Sequence, residues 1–297
     1  MTEIVMAEGL GKRYGGQWAL RDCTLQVRSQ RAVALVGPNG AGKTTLLQLL
    51  AGLLRPSEGW VRVAGGAPFQ EAGRVLPHVA FVAQEQPLYR DFTGAELLTL
   101  GAHMNPRWDD RLVRERLRSL GVPLDRPVAR LSGGQRSQVA LALSLAKQAE
   151  LVLLDEPLAS LDPLARQEFL QTLMETLSEA PMTLVLSSHI VGELERVCDW
   201  LIILTAAYVQ LSVSIEEALA THQRVVGPAS RLDTLASFAE VIVATETPRQ
   251  TTAVVRTSGS IFDPAWEVHP MTLEEIVLAY LTQARSPSRR QGWDAAA

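Results

Sequence analysis

Nine consecutive residues constrain this chain more than any other stretch: Gly37-Pro38-Asn39-Gly40-Ala41-Gly42-Lys43-Thr44-Thr45. The glycines keep side chains away, so successive backbone N–H groups can turn into one anion-sized concavity. A mobile ammonium at Lys43 suits the β- and γ-phosphates of a nucleotide, and the Thr44 hydroxyl suits a Mg²⁺ ion beside them. The flanks agree. Residues 32–36 are a short apolar run fit for a buried strand. Residues 44–54 read as a helix, whose N-terminus adds a favourable field for phosphate.

Bulk properties narrow the surroundings of that site. A 297-residue chain with 47% hydrophobic and 20% charged residues can bury one large core or two smaller ones. A net charge of −4 argues against a partner held by bulk attraction to nucleic acid. Only Cys23 and Cys198 occur, far apart, so neither a zinc site nor a disulfide framework is expected. The N-terminus carries acids where a signal peptide needs bases. Residues 200–209, one of the longest apolar runs, are about half of what a membrane span needs. Any membrane role is therefore expected to come through a partner.

Strand and helix signals alternate along most of the chain. Residues 20–27, 59–63 and 79–83 read as strands, with a turn at 55–59. Thr93 and Glu96 have capping-box spacing ahead of an apolar run, and residues 109–120 form a second amphipathic helix closed by Gly121 and Pro123. This block reads as a helical insert, about 88–148. Helices over 135–147 and 163–177 then alternate with strands over 151–154 and 183–187, which predicts a mostly parallel sheet. Past residue 215 the pattern changes. Short strands at 224–226, 241–244 and 252–256, with helices at 232–239 and 273–282, predict a small α+β appendage over 216–284. Residues 285–297, rich in Arg, Ser, Pro and Ala, read as a disordered tail.

Two further clusters carry chemistry. The apolar run 151–154 ends in Asp155 and Glu156. A buried strand would set Asp155 beside the phosphate loop to orient Mg²⁺ or its water. Glu156 would face the attacking water as general base. Leu131-Ser132-Gly133-Gly134-Gln135 combines a natural N-cap at Ser132 with two glycines, a second anion site at a helix N-terminus. Two phosphate-binding ends in one chain predict two chains facing each other with nucleotides shared between them.

With that last motif in place, the sequence resembles the nucleotide-binding subunits of ABC transporters over about residues 3–215. Ser132, Gly133, Gly134 and Gln135 match the signature that would contact ATP in trans. The resemblance implies that Tyr14 stacks on adenine and that Gln84 senses Mg²⁺ and the attacking water. It further implies that Asp162, in Ser160-Leu161-Asp162, crosses the dimer interface and that His189 contacts the γ-phosphate. The implied fold is a P-loop NTPase with a mostly parallel RecA-like core sheet, an antiparallel β subdomain, the helical insert and the appendage. The implied cofactors are ATP and Mg²⁺.

The implied partners are a separate transmembrane permease and a second copy of this chain, with a heterodimer left open, at the cytoplasmic face of the membrane. Leu88, Tyr89 and Phe92 would line the groove that receives the permease. Residues 106–109, 161–169 and 187–190 resemble the bacterial subgroup that exports antibiotics and other hydrophobic compounds. Two departures stand out: Pro157-Leu158-Ala159 in place of Pro-Thr-Ser or Pro-Thr-Ala, and Ala206-Ala207 where a glycine-containing turn is common. A soluble cassette ATPase of translation or DNA repair fits less well, because such chains usually carry two cassettes, a long coiled coil or zinc-binding cysteines. A nucleotide-switched module that barely turns ATP over is disfavoured by the intact Glu156 and His189.

Overall fold

The computed structural model describes residues 2–284 apart from 160, 248, 249, 260 and 262. The expected disorder of 285–297 therefore lies outside the described residues, as does Ser160.

A six-stranded sheet organises the molecule. Its order is Val79–Val82, Leu151–Leu154, Thr183–Ser188, Ala32–Val36, Trp200–Thr205 and Tyr208–Ser214. The first five strands run parallel and the last is antiparallel. Strands Ala32–Val36, Leu151–Leu154 and Thr183–Ser188 are buried along their whole length, as expected where helices cover both faces of a parallel sheet. The phosphate-loop strand lies inside this sheet, so Gly37, Asp155 and His189 all emerge at its carboxyl edge, where open α/β sheets bind ligands.

A three-stranded antiparallel sheet, in the order Gln17–Arg28, Glu3–Tyr14, Glu58–Val63, packs with the phosphate-loop helix into a second hydrophobic cluster. The insert contributes helices Gly94–Met104, Asp110–Ser119 and Gly133–Ala146. The first has its capping box: Thr93 N donates to Glu96 Oε2 at 2.7 Å, and Glu96 N donates to Thr93 Oγ1 at 3.2 Å. The third faces two ways. Val139, Ala142 and Ala146 pack within the insert, whereas Ala140, Leu141 and Leu145 pack against the main sheet.

One boundary shifts. The phosphate-loop helix spans Lys43–Leu50 rather than reaching residue 54. Gly52 (φ +71°) takes the left-handed position after the C-cap, with Gly52 N donating to Leu49 O and Leu53 N to Gln48 O, a Schellman closure that stops the helix. The apolar run 200–209 divides into two antiparallel strands paired from Trp200↔Ser214 to Thr205↔Tyr208. Ala206 (φ +47°) and Ala207 (φ +72°) form the two-residue turn between them. Positive φ at both positions is the type I′ requirement, normally met by Asn-Gly. The alanine pair is thus a strained substitute. Combining Ala206→Asn with Ala207→Gly is expected to raise stability by about 1 kcal/mol, read as a higher denaturation midpoint at unchanged slope.

The region after 215 forms a four-stranded antiparallel sheet, Glu240–Glu246, Thr251–Arg256, His222–Gly227, Glu267–Pro270. Its final helix, Leu273–Gln283, packs between that sheet and the central one, with Ile242 of strand Glu240–Glu246 in its buried cluster. Leu273, Ile276, Val277 and Tyr280 join the same buried cluster as Val191, Leu194, Leu201 and Ile203 of the central sheet and its helices. His222 pins the junction: Nδ1 donates to Ala218 O at 2.8 Å, which leaves Nε2 to accept from the Tyr280 hydroxyl at 3.0 Å. Burial lowers the pKa of that imidazole, consistent with the neutral form this arrangement needs.

Candidate nucleotide site

The phosphate loop wraps a cavity of about 370 Å³ lined by Ala19, residues 38–45, Gln84, Glu156, Ala159 and His189. Pro38, Asn39, Gly40, Ala41, Gly42, Lys43, Thr44, Thr45, Gln84, Glu156 and His189 are thereby brought together. Gly37 closes the base of the loop, where its carbonyl accepts from Lys43 Nζ at 2.7 Å. Gly42 stands at φ +106° just before the helix. A methyl group there would sit 2.3 Å from the Ala19 carbonyl oxygen, so only glycine lets the loop pass under the antiparallel sheet.

Lys43 is almost fully buried, and its ammonium lies 3.1 Å from Glu156 Oε1. That contact is an ion pair without the alignment of a hydrogen bond, since Oε1 has no hydrogen-bond partner. Glu156 Oε2 lies 2.8 Å from His189 Nδ1. The carboxylate is therefore clamped between two cationic or proton-donating groups. A phosphate entering the loop competes for the same lysine.

Glu156 is held in place from below. It has a left-handed backbone (φ +46°), sparsely populated by residues with a side chain. Its N–H donates to Ser187 Oγ at 2.8 Å, and that hydroxyl donates to Asp155 Oδ1 at 2.8 Å. Ser187 is fully buried. This residue escaped the sequence reading; its one signal was a polar Ser187-Ser188 pair at the end of an otherwise apolar strand. Ser187→Ala removes both bonds and strands two buried polar groups. A loss of about 1–3 kcal/mol of stability is expected, together with a fall in nucleotide turnover that exceeds any change in nucleotide affinity, measured by chemical unfolding and steady-state kinetics.

Asp155 lies behind the cavity, almost fully buried, and its Oδ2 has no hydrogen-bond partner. A lone buried carboxylate oxygen, next in chain to Glu156, which lines the cavity with Thr44 and Gln84, is a donor suited to a hard cation. Among the described residues no group of three or more His, Cys, Asp or Glu is placed to hold a metal. A cation here would take its remaining ligands from phosphates and water.

Other expected residues lie outside this cavity. Ser132 caps helix Gly133–Ala146 with a full capping box: Gln135 N donates to Ser132 Oγ at 3.1 Å, and Ser132 N to Gln135 Oε1 at 3.0 Å. None of Ser132, Gly133, Gly134 and Gln135 lines the phosphate-loop cavity. Asp162 caps helix Pro163–Glu179 by accepting from Leu164 N and Ala165 N, each at 3.0 Å. Tyr14 is half exposed, with the Lys12 ammonium 5.4 Å from its ring centroid. A separate groove of about 780 Å³ runs between the insert and the central sheet, lined by Leu53, Leu76, Phe81, Leu88, Met104 and Leu143 among others. Leu88 lines it. Tyr89 and Phe92 pair with each other, ring centroids 5.1 Å apart, outside its lining.

A mostly parallel sheet with a phosphate loop, a strand-end Asp-Glu pair and a histidine just past the neighbouring strand define a P-loop nucleotide-binding protein. The family described as ABC transporter matches residues 20–159. A sulfate/thiosulfate import ATP-binding protein of Nephroselmis olivacea is 37% identical over 194 residues, 62% of this chain and 55% of that protein. A Nod factor export ATP-binding protein of Ralstonia nicotianae is 35% identical over 211 residues, 68% and 64% respectively. The chain thus spans less than two thirds of the length of these two relatives. An uncharacterized ABC transporter ATP-binding protein of Nostoc sp. is 33% identical over 233 residues, 74% of this chain and 69% of that one. The solved structure of an ATP binding subunit of an ABC transporter aligns with a TM-score of 0.65 at 27% identity, over 72% of this chain and 91% of its own. The chain belongs to the ATP-binding cassette family of ABC transporters.

Proposed function

We propose that this chain is the ATP-hydrolysing subunit of a transporter whose membrane permease is a separate polypeptide. The observation that carries this reading is the convergence of Lys43, Glu156, His189 and Gln84 on one cavity. ATP would lay its phosphates in the loop against Lys43, with adenine on Tyr14. Glu156 would accept a proton from the attacking water, and His189 would hold that carboxylate and the γ-phosphate end in register. Mg²⁺, when bound, would neutralise phosphate charge, with Thr44, Gln84 and Asp155 as the residues that hold it.

The site is incomplete in one copy. The signature residues Ser132–Gln135 present a capped helix N-terminus that contributes nothing to their own chain's cavity. A second copy supplies the missing wall, each signature facing the other copy's nucleotide. A 32.4 kDa chain carrying Glu156→Gln is expected to double in mass by light scattering when MgATP is added. A mass unchanged by nucleotide would refute the shared site.

Among the described residues no helix is long and apolar enough to cross a membrane. We assign the protein to the cytoplasmic face, docked on its permease through the groove at Leu88. Export of a hydrophobic compound is the direction we favour, supported by the likeness of residues 106–109, 161–169 and 187–190 to the exporter subgroup. The relatives' names divide between import and export at similar identity. ATP-driven accumulation inside inverted membrane vesicles is expected for export; uptake only into right-side-out vesicles would reverse the direction.

A further inference from the structure

Arg166 does not line the nucleotide cavity, yet it joins two segments that follow the cavity residues Ala159 and His189. Its Nε donates to Leu161 O at 2.9 Å, and its Nη1 reaches Glu193 Oε1 at 3.3 Å. Leu161 precedes Asp162, whose side chain fixes the start of helix Pro163–Glu179. Glu193 lies in the short helix Val191–Leu194, four residues after His189. The signature helix comes close to the same corner, since a methyl group on Gly134 would lie 3.2 Å from Ala165 Cβ.

Two features separate this contact from an ordinary surface ion pair. Both side chains are largely shielded, at 28% and 21% exposure, and Glu193 Oε2 is buried without a hydrogen-bond partner. The carboxylate therefore depends on the Arg166 cation. The guanidinium also spends separate N–H groups on a backbone carbonyl and on a carboxylate from another element, a division that its planar fork allows and a lysine ammonium reproduces poorly.

We propose that Arg166 is a positioning residue for ATP hydrolysis. It fixes the loop at Leu161-Asp162 relative to His189 through Glu193, so that a second chain arriving at Asp162 sets the histidine that holds Glu156. This rests on the shared-site ATPase reading above.

The test is a double-mutant cycle in the full-length chain with Arg166→Met, Glu193→Gln and the two combined. Arg166→Met is expected to lower kcat about tenfold with the KM for ATP within about twofold, and Glu193→Gln to lower it less, because Arg166 keeps Leu161. The double variant is expected to be no slower than Arg166→Met. Cooperativity in ATP is expected to fall with kcat. Arg166→Lys, which keeps the charge without the fork, is expected to fall between wild type and Arg166→Met and serves if the methionine variant does not fold.

A second readout needs no turnover. Among the five histidines, the ring resonances of His189 are expected to move in the Arg166 variant while those of His78, His103, His222 and His269 stay. Multiplying effects in the double variant, an unchanged kcat, a parallel loss of ATP affinity, or a His189 resonance that does not move would each overturn the proposal. If the wild-type chain releases no phosphate, the ATPase reading fails by itself, and the His189 resonance then decides the Arg166 link alone.

Discussion

Glu156→Gln is expected to release phosphate about 10²- to 10⁴-fold more slowly than the wild-type chain while binding ATP at least as tightly. The slowing follows from removing the one carboxylate that, among the described residues, lines the cavity and can take a proton. The retained affinity follows from the place of the Lys43 ammonium. Lys43 stands 3.1 Å from Glu156 Oε1, so in the wild type an incoming phosphate must draw the ammonium away from a buried carboxylate. A neutral amide releases the lysine to the nucleotide and removes a negative charge from beside the γ-phosphate position. Titration calorimetry with ATP and single-turnover phosphate release separate the two effects. Equal losses of binding and turnover would assign Glu156 to the architecture of the loop instead of the chemistry.

Gly42→Ala is expected to cost about 3 kcal/mol or more of stability and to remove ATP binding at millimolar nucleotide. The φ of +106° at this position disfavours any side chain, and the new methyl would meet the Ala19 carbonyl at 2.3 Å. Relief requires the loop to lift from the antiparallel sheet, which disturbs the Lys43 ammonium as well as the N–H groups. Denaturant unfolding and calorimetry report the two losses. A variant as stable as wild type would mean that the loop adopts another path.

Much of this site could be read from the sequence because its parts are local. The phosphate loop, the apolar strand ending in Asp155-Glu156, and the caps at Thr93 and Ser132 each depend on residues within a few positions of one another, and local spacing is what a sequence displays. The proximity of Glu156 to the phosphate loop follows from reading its strand as buried beside that loop, whereas that of Glu156 to His189 comes only through resemblance, because a separation of 33 residues carries no local signal.

What stayed hidden depended on packing. Ser187 looks like any serine at a strand end until the sheet sets its hydroxyl under Glu156. Helix Leu273–Gln283 is recognisable as a helix, but nothing local says that its apolar face joins the central core as well as strand Glu240–Glu246 of the appendage that precedes it. Strand Glu267–Pro270 was missed for another reason. It is short, sits at the sheet edge and ends in proline, which a strand tolerates at an edge and a sequence pattern counts against it. The turn at Ala206-Ala207 is legible only through the resemblance, since residues that disfavour positive φ occupy a turn that demands it.

The central claim is that ATP chemistry in this chain serves a membrane permease. Its most direct test is affinity purification of the Glu156→Gln chain from its own membranes, in detergent and with MgATP. The account predicts one multi-span membrane protein in stoichiometric amount, retained with ATP, whose presence raises phosphate release when added to the wild-type chain. Recovery of the chain with ribosomes, with DNA or with no membrane protein would contradict it and leave a cassette ATPase that works elsewhere.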